Sequence, residues 1–141
     1  MTALVFVDTN VLLYAVDADD SEAAKSAIAY DILGRPDLAL SAQVLQEFYW
    51  QATRSTRRGA LTHDQARLLI ESLDRYPIQH VDLGLVLAAL AVKLRYGLSY
   101  WDAAIIAAAK ALGCRELLSE DLADGQDYDG VVVRNPFGSA R

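Results

Sequence analysis

A chain of 141 residues falls within the usual size of one domain and is long enough to bury about two thirds of its unfolded surface. A hydrophobic fraction of 53%, a charged fraction of 23% and only three prolines exclude a disordered or low-complexity chain. The net charge of -6 argues against a generally basic nucleic-acid footprint, although net charge conceals local patches and a cluster of metal-binding carboxylates itself lowers it.

The one cysteine, Cys114, cannot form an internal disulfide, which fits a reducing cytoplasmic setting, and it reads as a small core residue. The apolar N-terminus lacks a basic n-region and is interrupted by Asp8 and Asn10 before any small-residue cleavage site, so it is expected to be mature structure. The longest apolar run elsewhere, Leu83 to Val92, is about half of the roughly 20 residues a membrane-spanning helix needs. A soluble protein with no membrane partner is the expectation.

In chain order, "ALVFVD" is a short run rich in β-favouring residues that ends at Asp8, after which Val11, Leu12 and Ala15 return at helical spacing. This predicts a strand running into a helix. A second helix is expected over Ser21 to Leu33, opened by "DDSE" and stopped by Gly34-Arg35-Pro36, with Gly34 suited to the C′ position. "LAL" reads as a short strand, and Ser41 as the N-cap of "AQVLQEFYWQATRS". In that helix Val44, Leu45, Phe48, Tyr49 and Ala52 recur at core-facing intervals, while Gln43, Glu47, Gln51 and Arg54 form a more polar stripe. "THDQ" has the form of a capping box and opens a helix from Thr62 to about Tyr76, before Pro77. A brief strand, "IQHV", follows. "LGLVLAALAVKLRYG" is apolar almost all round until Lys93 and predicts a buried helix ended by Gly97; "YWDAAIIAAAKALG" predicts the next. "RELLS" and "VVVRN" are strand candidates on either side of an acidic turn, "EDLADGQDYDG".

Strands separated by helical patterns predict an α/β fold with a parallel sheet covered on both faces, of about five short strands. No repeat or linker marks a second domain, so residues 1–141 are expected to form one unit. In such sheets ligands bind outside the carboxyl ends of the strands. Asp8 falls at that edge, together with Asp121, which follows the strand "ELL" and Ser119.

Each acidic residue also has an ordinary explanation. Asp8 could be an N-cap that satisfies free N–H groups of the next helix. Asp102 stands at capping-box spacing from Ser99, although Glu or Gln is the usual last member. Glu47 lies mid-helix, where most glutamates are solvated, and Asp121 and Asp124 belong to a polar turn where Asp bonds nearby amides. Convergence shifts the balance: two strand-to-helix junctions, the first turn of an Ala/Ile-rich helix and one helix stripe could all present oxygen ligands at one sheet edge. Carboxylates that close would repel unless a cation neutralised them, and Mg²⁺ and Mn²⁺ prefer oxygen ligands and phosphate partners. His63 and His80 are isolated and read as structural or surface residues, which leaves no zinc constellation. Neither a G-x-x-x-x-G-K-[ST] loop nor a G-x-G-x-x-G loop is present.

"FVDTNVLLY", "SAQVLQEFYW", "LSYWDAAIIAAAKALG" and "LLSEDLADGQ" occur in the order found in PIN domains, and the chain resembles a VapC-type toxin ribonuclease of a type II toxin–antitoxin system over nearly its whole length. The resemblance implies a three-layer α/β/α fold and cleavage of RNA phosphodiester bonds with Mg²⁺ or Mn²⁺. It implies catalytic and metal-binding roles for Asp8, Glu47, Asp102 and Asp121, with Asp124 as a further metal ligand. Thr9, Asn10 and Ser119 match polar positions that orient carboxylates or hold metal-bound water. The metal would be held mainly by Asp8, Asp102 and Asp121, and Glu47 could complete a second site; products with 5′-phosphate and 3′-hydroxyl ends are implied. The resemblance also implies a cognate antitoxin, a homodimer, a mostly bacterial cytoplasmic setting and inhibition of translation or growth.

Arg54, Arg57 and Arg58 cluster after the Glu47 helix, where they could contact RNA phosphates or simply solvate a helix end. Tyr100 and Trp101 are read as packing beside the site, although aromatic rings there could stack bases. Two other functions fit an Asp-tipped strand: a Mg²⁺-dependent phosphohydrolase or receiver-like phosphoacceptor, and a non-catalytic RNA- or protein-binding module. Against the first stand the lack of a D-x-D pair at the first strand and the placement of Lys110 within a helix.

Overall fold

Val5, Phe6 and Val7 are buried on both faces, which suits a strand at the middle of a covered sheet. In the computed structural model, which describes residues 3–138, they form β1 (Val5–Val7) of a six-stranded sheet. The other strands are β2 (Leu38–Ser41), β3 (Ile78–Gln79), β4 (Glu116–Leu118), β5 (Asp127–Tyr128) and β6 (Val131–Arg134), in the spatial order β3-β2-β1-β4-β6-β5. All neighbouring pairs are parallel except β5 with β6. Val5 stands opposite Leu38 on one side and Glu116 on the other. The chain therefore builds outward from β1 through β2 and β3, then returns to the other side of β1 with β4. The carboxyl ends of β1 and β4 form the switch point at which such sheets bind ligands.

The helices are α1 (Thr9–Ala15), α2 (Ala23–Leu33), α3 (Ala42–Thr53), α4 (His63–Ser72), α5 (Leu83–Tyr96) and α6 (Tyr100–Ala111). They complete the expected three-layer α/β/α arrangement: α1 packs on α2 and α3, and α3 on α4, while α6 lies against β2, β3, β4 and β6 with α5 outside it. Residues Ala103 to Ala109 are all buried, and five of the seven are alanine, so α6 approaches both the sheet and α5 closely. Phe6, Phe48 and Phe137 are the largest fully buried side chains. Cys114 is buried, as expected, and burial pushes its thiol up to about 11.

Local signals hold at several ends. Ser41 accepts the Val44 N–H, Thr62 and Gln65 form the reciprocal capping box, and Gly97 ends α5 at φ 67°. Other expectations are corrected. The sheet has six strands rather than five, because Asp129 (φ 56°) and Gly130 (φ 96°) make a two-residue turn that folds β5 back on β6 inside the acidic segment. Asp19 caps a short 3₁₀ turn over Asp20–Glu22, so the second helix begins at Ala23 rather than Ser21. Gly34 has φ -84° and is not left-handed. Tyr49 lies at the surface, where its hydroxyl meets His63 Nδ1 at 3.0 Å. His80 is also exposed. The apolar helix α5 is not buried all round: Leu85, Ala89 and Val92 face inward, whereas Leu83, Leu87, Leu90 and Leu94 are 72%, 56%, 48% and 88% exposed. Its place outside α6 leaves only one face to bury. Among the described residues, no single helix is long and apolar enough to cross a membrane.

Candidate active site

Asp8 follows β1 directly, and its N–H donates to the Leu118 carbonyl at 3.0 Å, which holds the ends of β1 and β4 side by side. Its side chain serves both readings. Oδ1 accepts the Thr9 N–H at 2.7 Å at the start of α1, while Oδ2 accepts the Ser119 hydroxyl at 2.7 Å and the Asn10 amide at 3.4 Å. Only 6% of Asp8 is exposed. Burial pushes its carboxyl up to about 6, against the Ser119 and Thr9 hydrogen bonds and with added repulsion from Asp121 and Glu47.

The neighbouring carboxylates come from three further segments. Glu47 projects from α3, where Oε2 accepts the Thr9 hydroxyl at 2.8 Å and Oε1 accepts the Gln43 amide at 2.9 Å. Asp102 sits in the first turn of α6, whose start Ser99 caps by accepting the Asp102 N–H at 3.1 Å. Burial raises the Asp102 carboxyl pKa, the Ser99 hydroxyl opposes this, and the charges of Asp121 and Glu47 add to it. Asp121 follows β4; its N–H donates to Ser119 Oγ at 3.1 Å and its Oδ2 accepts the Asn10 amide at 3.2 Å. One amide group of Asn10 thus reaches Asp8, Asp121 and Ser119, the last at 3.3 Å.

Asp8, Thr9, Asn10, Glu47, Asp102 and Asp121 line one cavity of about 190 Å³, closed by Leu13, Gln51, Trp101 and Ile105. No Lys, Arg or His is among its lining residues. Among the described residues, no group of three or more His, Cys, Asp or Glu side chains is already drawn together round a metal position. The donor chemistry nevertheless fits a hard divalent cation, since four carboxylates that repel one another share one small oxygen-lined space.

Several expected residues are placed elsewhere. Asp124 does not line the cavity; its Oδ1 accepts the Asn135 N–H at 2.9 Å. Arg54 and Arg58 are exposed, whereas Arg57 lines an adjoining cavity of about 340 Å³ with Asn10 and Asp121, and its guanidinium donates to the Leu13 carbonyl at 3.5 Å. Trp101 is not the buried packing that the sequence suggests, because it is 65% exposed at the cavity wall.

Sequence reasoning also missed two supports. Gln43, one turn before Glu47, was visible as a member of the same polar stripe, and it is buried against the glutamate. The second had no sequence signal: Lys25 Nζ meets Glu120 Oε2 at 2.7 Å, and the Tyr14 hydroxyl donates to Glu120 Oε1 at 2.6 Å. Burial acts to raise the Glu120 pKa, but Lys25 and Tyr14 outweigh it and hold the carboxylate below its ordinary value. The Glu120 N–H donates to Asn10 Oδ1 at 3.3 Å, so this cluster ties the segment between Ser119 and Asp121 to α1 and α2.

No curated protein sequence matches. A toxin–antitoxin complex from Klebsiella pneumoniae contains a chain 22% identical, with 96% of this chain and 98% of that one covered and a TM-score of 0.68. Mycobacterium tuberculosis VapC20, described as a Sarcin-Ricin loop cleaving toxin, is 22% identical over 83% of this chain and 91% of its own, at a TM-score of 0.64. FitAcB from Neisseria gonorrhoeae is 18% identical over 96% and 99%, also at 0.64. These likenesses are of fold. The PIN domain family matches residues 5–123, most of the chain, and the protein belongs to that family.

Proposed function

We propose that this protein is a divalent-metal-dependent endoribonuclease, the toxin of a VapBC-type pair whose cleavage of RNA inhibits translation and growth. The observation that carries this reading is the convergence of Asp8, Glu47, Asp102 and Asp121, from four separate segments, on one cavity at the β1–β4 switch point. Asp8, Asp102 and Asp121 would hold Mg²⁺ or Mn²⁺, with Glu47 available for a second position. Such an ion supplies activation of water and offsets charge developing on the phosphate. The chain's own groups do the rest: Thr9 and Gln43 fix both oxygens of Glu47, Ser119 and Asn10 fix Asp8, and Asn10 spans to Asp121. Asp124, bonded to Asn135, is left outside the proposed ligand set.

A cognate antitoxin is supported by the toxin–antitoxin complexes among the structures of like fold. A homodimer is supported by the ridge of Leu83, Leu87, Leu90 and Leu94, whose exposed side chains recur at the four- and three-residue spacing of a helix-pairing seam. The setting that follows is the bacterial cytoplasm.

The test is incubation of end-labelled total RNA with purified protein in Mg²⁺, Mn²⁺ or EDTA, beside Asp102→Asn. Discrete metal-dependent cuts with 5′-phosphate and 3′-hydroxyl ends, lost in the variant, are expected. Products ending in 2′,3′-cyclic phosphates would overturn the mechanism, and phosphate trapped covalently on Asp8 would favour the phosphohydrolase alternative.

A further inference from the structure

We propose that Trp101 stacks an unpaired RNA base next to the phosphate being cut, an inference that rests on the nuclease reading of the adjoining carboxylates. Both tryptophans are largely exposed, Trp50 at 67% and Trp101 at 65%, but of the two only Trp101 lines the carboxylate cavity. Its position is fixed from two sides. It directly precedes Asp102 in the first turn of α6, and its carbonyl accepts the Gln43 amide at 3.2 Å, the same amide that holds Glu47.

The rings of Tyr100 and Trp101 lie 5.1 Å apart at 82°, an edge-to-face contact. That geometry steadies the indole and leaves at least one of its faces without an aromatic neighbour. Charge makes such a face useful here. The protein carries a net charge of -6 and the wall of this cavity has no cationic side chain, Arg57 lying in the adjoining one, so the wall itself repels a phosphate backbone. A neutral π face attracts the base without regard to that charge, and it tolerates any base because each has a π face of its own. A base already stacked within a duplex cannot use it. Trp101 thereby sets which nucleotides are presented to the carboxylates.

The other tryptophan, Trp50, is on α3 and does not line the cavity, so Trp50→Phe leaves Trp101 as the only indole fluorophore. In that background, with Asp121→Asn to prevent cutting, a short single-stranded oligoadenylate is titrated in Mg²⁺. Quenching of the indole emission is expected. Trp101→Ala should weaken binding about tenfold to a hundredfold, Trp101→Phe less, and an oligomer with abasic sugars should bind the Trp and Ala forms equally. Absence of quenching, or equal oligoadenylate binding by the Trp and Ala forms, would overturn the proposal. So would an Ala variant that keeps full RNA affinity but loses a co-purifying protein, since the indole would then serve a protein contact. Cleavage by the wild-type protein separates the two claims: quenching without cleavage leaves the stacking role and removes the nuclease, whereas metal-dependent cleavage with an unchanged KM in Trp101→Ala does the reverse.

Discussion

Replacing Asp8 by Asn should abolish cleavage and, at the same time, stabilise the metal-free protein at neutral pH. Burial holds the Asp8 carboxyl at about 6 against an ordinary value of 3.8. A carboxyl whose pKa rises on folding binds its proton more tightly in the folded state, so stability declines as pH increases across the interval from 3.8 to about 6 and the whole penalty is present above it. At about 1.4 kcal/mol for each tenfold change, that penalty is roughly 3 kcal/mol. Asn removes the charge and keeps an acceptor for the Thr9 N–H at 2.7 Å. The opposing Ser119 and Thr9 hydrogen bonds are already included in that raised pKa, and Asn, like the protonated acid, carries no charge into the site. The net gain expected is therefore up to about 3 kcal/mol, or roughly 6–12 °C in Tm for a domain of this size. Thermal unfolding of both proteins in EDTA measures it. The gain should shrink as pH falls below about 6 and vanish by about pH 3, where Asp8 is protonated in folded and unfolded chains alike. A lower Tm for Asp8→Asn at neutral pH, or a gain unchanged in acid, would refute the reasoning.

Three further outcomes follow from packing and backbone geometry. Phe48 is fully buried one residue beyond Glu47, so Phe48→Ala should cost about 3–5 kcal/mol in denaturant unfolding. Gly97 ends α5 at φ 67° with nothing within 4 Å of an added Cβ, so Gly97→Ala should destabilise through backbone strain alone, by about 1 kcal/mol. Leu87 and Leu90 are largely solvent-facing, so Leu87→Glu with Leu90→Glu should leave Tm nearly unchanged while light scattering reports a dimer converted to a monomer; an unaltered mass would remove α5 from the interface.

The sequence carried the parts of the fold that depend on local chemistry. β1 ends just before Asp8, where its hydrophobic run stops, Ser41, Thr62 and Ser99 cap the helices they precede, and Gly97 stops α5 in the left-handed region. The four carboxylates were legible because they fall at element boundaries or on one polar stripe, and the sheet order then brings those boundaries together. Less legible were features set by a neighbour distant in the chain. Uniform apolarity made α5 look buried, but α6, richer in alanine, takes the inner position. The pair of Lys25 with Glu120 joins α2 to the segment after β4, and neither residue has a local pattern that announces the other. β5 has only two residues, too few for an alternating pattern, although the Asp129-Gly130 turn signal was present. The exposure of Trp101 likewise depends on what fails to cover it.

The most direct test of a divalent-metal site between β1 and β4 is anomalous diffraction from crystals soaked in Mn²⁺. Density in the cavity bounded by Asp8, Asp102 and Asp121, absent from Asp121→Asn crystals, is the expected result. Mn²⁺ bound only elsewhere, or equally in the variant, would contradict the assignment of these carboxylates as the metal-binding centre.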